Sequence, residues 1–152
     1  MGGVSPSAMQ RFARKAQKFA RVRGEVAVLI TSRRKVQALN RRFRRKDKPT
    51  DVLSFPLATG GDIAVCAEIA RRNAARLGHP LSDEIKILVL HGMLHLAGYD
   101  HETDSGEMAA VEARLRSRLK LPLSLIERNQ PTRAPRQRSS ASRGKPVAGS
   151  RR

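Results

Sequence analysis

"SDEIKILVLHGMLHLAGYDH", residues 82–101, decides how this chain is read. Its middle is apolar at almost every position, so a helix formed here is apolar all round and belongs at the centre of the molecule. Ser82 can cap it, Asp83 and Glu84 fall in the first turn where the helix dipole favours acids, and Gly98 offers the stop. The same stretch holds three of the chain's four histidines, His91, His95 and His101. A spacing of four puts His91 and His95 on one helix face, a turn apart. A left-handed exit at Gly98 lets the chain turn back and bring His101 to the same point. As plain core residues, three unpaired imidazoles on the most apolar helix would cost stability. Three neutral nitrogens that converge and leave a fourth position open form a catalytic zinc pattern, in which the ion lowers the pKa of bound water toward ~7. The expected cofactor is therefore one Zn²⁺ per chain, or another divalent ion, with His91, His95 and His101 as ligands. His79, just before Pro80, reads as an exposed loop residue.

Outward from this helix the pattern alternates between helix and strand. Residues 5–22 suit a helix capped by Ser5 with Pro6 at its first position, and Met9, Phe12, Ala16 and Phe19 lie on its apolar stripe. Residues 25–30, "EVAVLI", are apolar on both faces and read as a buried strand. Ser32 can cap a helix over 33–44 with Val36, Leu39 and Phe43 inward. Two short strands follow at 51–55 and 62–66, the first ended by Pro56. A helix over 67–77 faces Ile69, Ala70, Asn73, Ala74 and Leu77 inward and stops at Gly78. Beyond the histidines, Asp104 and Glu107 form a capping box for a last helix with Met108, Val111, Leu115 and Leu119 inward. That makes five helices and three strands in one domain, 1–130. The segment 131–152 is rich in Pro, Ser, Gly and Arg, cannot build a core, and is expected to be a disordered basic tail.

The net charge is +18, and it is segregated. Residues 1–50 carry 15 Lys/Arg against 2 Asp/Glu, and 131–152 carry 7 against none. Residues 82–113 run the other way, with 7 acids and one lysine. A basic field of this size attracts polyanions, nucleic acid first among them. With only five Phe, Tyr and Trp residues together, a base-stacking platform is not expected, and contacts should fall mainly on phosphates. A single cysteine, Cys66, excludes an internal disulfide. The start shows no apolar core of a signal peptide, and the longest uncharged run, 87–99, is too short to span a bilayer. A soluble cytoplasmic protein without a membrane partner is expected.

The frame H-x-x-x-H-x-x-G-x-x-H resembles that of the metzincin proteases, in which a glutamate after the first histidine is the general base. Here that position is Gly92, which cannot take a proton. A zincin-like metallopeptidase is thus one alternative, and a non-catalytic ribosome-assembly factor with a structural metal is another. Three blocks resemble the YbeY endoribonucleases, bacterial rRNA maturation factors: "LNRRFRRKDKPTDVLSFP" (39–56), "GGDIAVC" (60–66) and "HGMLHLAGYDH" (91–101). The resemblance implies an α+β fold, with a small mixed sheet and a metal in a cleft. It implies a single-strand-specific, metal-dependent endoribonuclease in rRNA maturation and ribosome quality control, with single-stranded RNA and the ribosome or its proteins as partners. No small-molecule cofactor beyond the metal is expected. Arg44 matches the family's arginine near the metal, where a guanidinium can grip the scissile phosphate. Asp100, beside His101, is a candidate to orient a ligand histidine or to accept a proton. The surrounding basic run supplies Arg41, Arg42, Arg45, Lys46 and Lys48 as candidate RNA contacts.

Overall fold

The computed structural model describes residues 4–44 and 50–129. In chain order it contains α1 (Pro6–Ala20), β1 (Val26–Thr31), α2 (Arg33–Arg44), β2 (Val52–Pro56), β3 (Gly61–Cys66), α3 (Ala67–Leu77), α4 (Leu81–Leu96), α5 (Glu107–Arg118) and α6 (Leu125–Asn129). The strands form one mixed sheet in the order β1-β3-β2, with β1 parallel and β2 antiparallel to β3. The expected α+β class with a small mixed sheet is what the chain adopts. The basic tail and the basic residues Arg45, Lys46 and Lys48 lie outside the described residues.

α4 is the central helix. Ile85, Ile87, Leu88, Val89, Leu90, Met93 and Leu94 are all buried on it. Burying each such side chain contributes about 1.5–3 kcal/mol relative to leaving it in water, which is what fixes this helix in the middle. Met9, Phe12, Ala16 and Ala20 of α1 join the same core, as do Ile63 and Val65 of the sheet. The opposite face of the sheet holds a second, smaller core of Val36, Leu53, Ala64 and Cys66 beneath α2. Between α4 and the sheet the approach is unusually close. A Cβ on Gly92 would lie 2.9 Å from both Ile63 Cγ2 and Ser54 Oγ. Ser54 Oγ instead donates a 3.0 Å hydrogen bond to the Gly92 carbonyl. The residue after the first histidine is glycine because β2 and β3 occupy the space a side chain would need.

Several local expectations are corrected. β1 is an edge strand of the described sheet, not a strand buried on both faces: Leu29 and Ile30 are 48% and 38% exposed. Its apolar run pairs with one neighbour, β3. Phe43 points out at the end of α2, because the small second core is already closed by Val36 and Leu39. Leu77 is exposed in the last turn of α3. α4 begins two residues early, with Pro80 rather than Ser82 at its N-cap. The start of α5 is displaced as well. Gly106, at φ +105°, is its N-cap, while Asp104 accepts from the Met108 amide at 2.9 Å and Glu107 accepts from Ser105 at 2.8 Å. Both side chains of the expected capping box are used, one step out of register.

The sixth helix, α6, was not anticipated from the sequence. It is a five-residue turn that buries Leu125 and Ile126. Arg128 on it reaches the fully buried Glu84 of α4 with two bonds of 2.7 and 2.6 Å. His79 completes this cluster. It is not an exposed loop residue: its side chain is largely buried, and Nε2 bonds Glu84 Oε1 at 2.8 Å. Burial pushes the Glu84 carboxyl up, but its bonds to Arg128, His79 and Asn73 outweigh this and hold it below its usual range.

Candidate metal centre

α4 carries His91 and His95 into the floor of a cleft, where their Nε2 atoms stand 3.2 Å apart. The partners behind each ring fix its tautomer. His91 Nδ1 donates to Glu112 Oε2 at 2.7 Å, and His95 Nδ1 donates to the Tyr99 carbonyl at 3.0 Å. In the neutral form that metal ligation requires, each ring then turns its Nε2 lone pair toward the other. Two acceptor nitrogens at this distance repel unless a cation lies between them. Nitrogens bound about 2.05 Å from a tetrahedral ion stand roughly 3.3 Å apart, so the spacing already suits such an ion. Burial, then the neighbouring His91, holds His95 below its ordinary pKa and keeps it neutral, as a ligand must be.

His101 reaches the same point by the route expected. Gly98 takes φ +103°, and its amide bonds the His95 carbonyl while the Tyr99 amide bonds that of Leu94. The chain then folds back through a turn in which the Asp100 carbonyl accepts from Thr103 and Asp104. His101 Nδ1 is buried, with no hydrogen-bond partner among the described residues. The ligand atoms of the three histidines all lie within 4.8 Å of one another, close enough to hold one metal ion. An orphaned buried nitrogen beside two facing lone pairs is costly alone and is satisfied by a bound cation.

The cleft over the histidines has a volume of about 440 Å³ and is lined by Arg44, Asn40, Asp51, Ser54, Tyr99 and Asp100, among others. Arg44 enters it from the last turn of α2, so two elements distant in sequence bring the arginine and the histidines to one opening. Asp100 lies at the rim. It is exposed, and its Oδ1 accepts from the Glu102 amide at 3.1 Å. The carboxylate that orients a candidate ligand is Glu112, which the sequence reading missed. It is fully buried on α5, holding His91 with one oxygen and the Ile126 amide with the other at 2.9 Å. The signal was present: Met108, Glu112 and Leu115 share one helical face, so an acid stands at a core position. Asp51 was also missed. Burial pushes its carboxyl above the usual range, and the Arg128 charge opposes this without outweighing it. Of the basic run, Arg41 and Arg42 lie on exposed turns of α2, and Arg42 stands 5.2 Å from the ring centre of Phe43.

The chain matches the family model described as endoribonuclease YbeY over residues 5–120. It is 56% identical over 131 residues to the endoribonuclease YbeY of Koribacter versatilis, covering 84% of this chain and 86% of that one. With the endoribonuclease YbeY of Solibacter usitatus it shares 49% identity, covering 81% and 85%. A Thermotoga maritima protein solved in solution superposes with a TM-score of 0.53 at 31% identity, over 78% of this chain and 89% of the other. The matched span takes in α1 through α5 and all three cleft histidines, and the chain belongs to the endoribonuclease YbeY family.

Proposed function

We propose that this chain is a metal-dependent endoribonuclease specific for single strands, acting in ribosomal RNA maturation and ribosome quality control. The observation that carries the reading is the pair of imidazole Nε2 atoms 3.2 Å apart, joined by His101 and set in a cleft that Arg44 also lines. His91, His95 and His101 hold the ion, and an all-nitrogen donor set favours Zn²⁺. When bound, the ion supplies a Lewis acid at the scissile phosphate and acidifies its coordinated water. Arg44 binds the non-bridging oxygens of that phosphate and stabilises the charge that grows on them. Asp51, a cleft carboxylate held above its usual range by burial, is a candidate to take a proton there, a role for which the rim carboxylate Asp100 is the second candidate. Arg41, Arg42, Arg45, Lys46 and Lys48 guide the RNA backbone, and the domain 1–130 carries the activity while 131–152 adds affinity. Ribosomal RNA in the cytoplasm, on or beside the ribosome, is the substrate in this reading.

The test is to incubate the full chain with labelled single-stranded RNA, duplex RNA and casein, with and without chelator. Chelator-sensitive cleavage of the single strand alone is expected. Cleaved casein would support the peptidase alternative, which Gly92 argues against because it supplies no carboxylate where a general base would stand. Uncut RNA and casein would leave an assembly factor.

A further inference from the structure

A second groove adjoins the metal cleft. Strand alternation puts Ala27, Leu29, Phe55 and Ala64 on the sheet face toward α2, and α2 covers only part of it. What remains is an apolar groove of about 810 Å³. Phe43 and Leu57 on its walls are 57% and 62% exposed. An apolar patch of this kind on a chain of charge +18 calls for a ligand.

Its chemistry is that of a nucleotide. The Phe43 ring meets Phe55 in an edge contact, with centroids 5.4 Å apart, and the Arg42 guanidinium lies over it, 5.2 Å from its centre. A flat apolar surface beside a cation stacks a base, whichever base it is. Lys35 and Arg44 on the walls attract phosphate, while Asp62, the carboxylate among the lining residues, repels it. The groove neighbours the metal cleft: Arg44, Ser54 and Pro56 line both. We propose that this groove binds the base of the nucleotide next to the scissile phosphate, a subsite that rests on the endoribonuclease reading above. It adds one base to the phosphate contacts expected from composition. It also gives single-strand specificity a physical cause, because a base stacked and paired inside a duplex cannot enter it.

The experiment uses the full chain with its metal and a labelled single-stranded RNA of defined cut site. A single abasic ribose is walked along the RNA, and single-turnover cleavage efficiency is compared for wild type and Phe43→Ala. One abasic position beside the cut should lower wild-type efficiency roughly 5- to 100-fold, as should Phe43→Ala on intact RNA. Combined, the two changes should do no more than either alone. Fluorescence anisotropy with chelator present should show weaker binding of intact RNA by the variant without any chemistry. Phe43 is exposed, so folding should survive; if the melting temperature falls, Leu57→Ala on the other wall repeats the test. Losses that multiply, or a variant that binds and cuts like wild type, would overturn the subsite and leave a protein partner for the groove. Wild-type protein that cuts no RNA at all would instead overturn the endoribonuclease reading.

Discussion

Arg44 separates two things a residue in this cleft can do, holding the ion and stabilising the reacting phosphate. It contributes no metal ligand, so Arg44→Ala should leave metal content and melting temperature unchanged. Single-turnover cleavage should fall by ~10²–10³, the usual cost of removing one transition-state donor. Arg44→Lys should restore only part, because an ammonium keeps the charge and loses the planar fork. Equal activity in wild type and the alanine variant would return Arg44 to the solvated basic run around it. Glu112 acts through His91 instead, and Glu112→Gln removes the charge behind the ring. Zinc affinity, measured by competition with a chromophoric chelator, should drop ~10–100-fold. An unchanged affinity would mean that the 2.7 Å contact serves packing alone. The three histidines were legible from spacing because their geometry is local to one helix and one turn. Glu112 and Asp51 were not, because their roles arise from packing between elements far apart in sequence. His79 was misread for the same reason: its partner Glu84 is buried only once α6 brings Arg128 against it.

At the scale of elements, the fold turns on how closely α4 lies on the sheet. Gly92→Ala forces a methyl to 2.9 Å from Ile63 and Ser54, so strand and helix must part or twist. The expected cost is about 1–3 kcal/mol, read as a lower midpoint in urea. Because His91 precedes this residue, zinc affinity should fall with it. A variant as stable as wild type would show that the contact relaxes freely. Helices with a clear apolar stripe, such as α1, were legible to within two residues. β1 was not read as an edge, since an apolar strand looks alike whether it has one neighbour or two. α6 escaped because five residues carry no period, and its position is set by Glu112 and Glu84 on other helices.

For the whole molecule, charge divides the labour. The strongly acidic stretch of sequence forms the central helix and the turn after it, while the basic excess lies on α1, α2 and the tail. Removing residues 131–152 takes away seven positive charges and no acid. The shortened chain should keep its melting temperature and metal, but its RNA affinity should depend less steeply on salt. An identical slope of log affinity against log salt would mean that the tail does not touch RNA. A basic field suited to polyanions was legible from composition, but the placing of Arg44 between the histidine cleft and the apolar groove required the fold. If one ion held by His91, His95 and His101 enables RNA cleavage, the activity must follow a zinc titration. Chelator-stripped full-length protein is titrated with Zn²⁺ while cleavage of labelled single-stranded RNA is followed. Cleavage should start near zero, rise to a plateau at one equivalent per chain, and stay absent in His95→Ala at the same ion concentrations. Full cleavage by the stripped protein, or an unaltered titration in His95→Ala, would contradict the account.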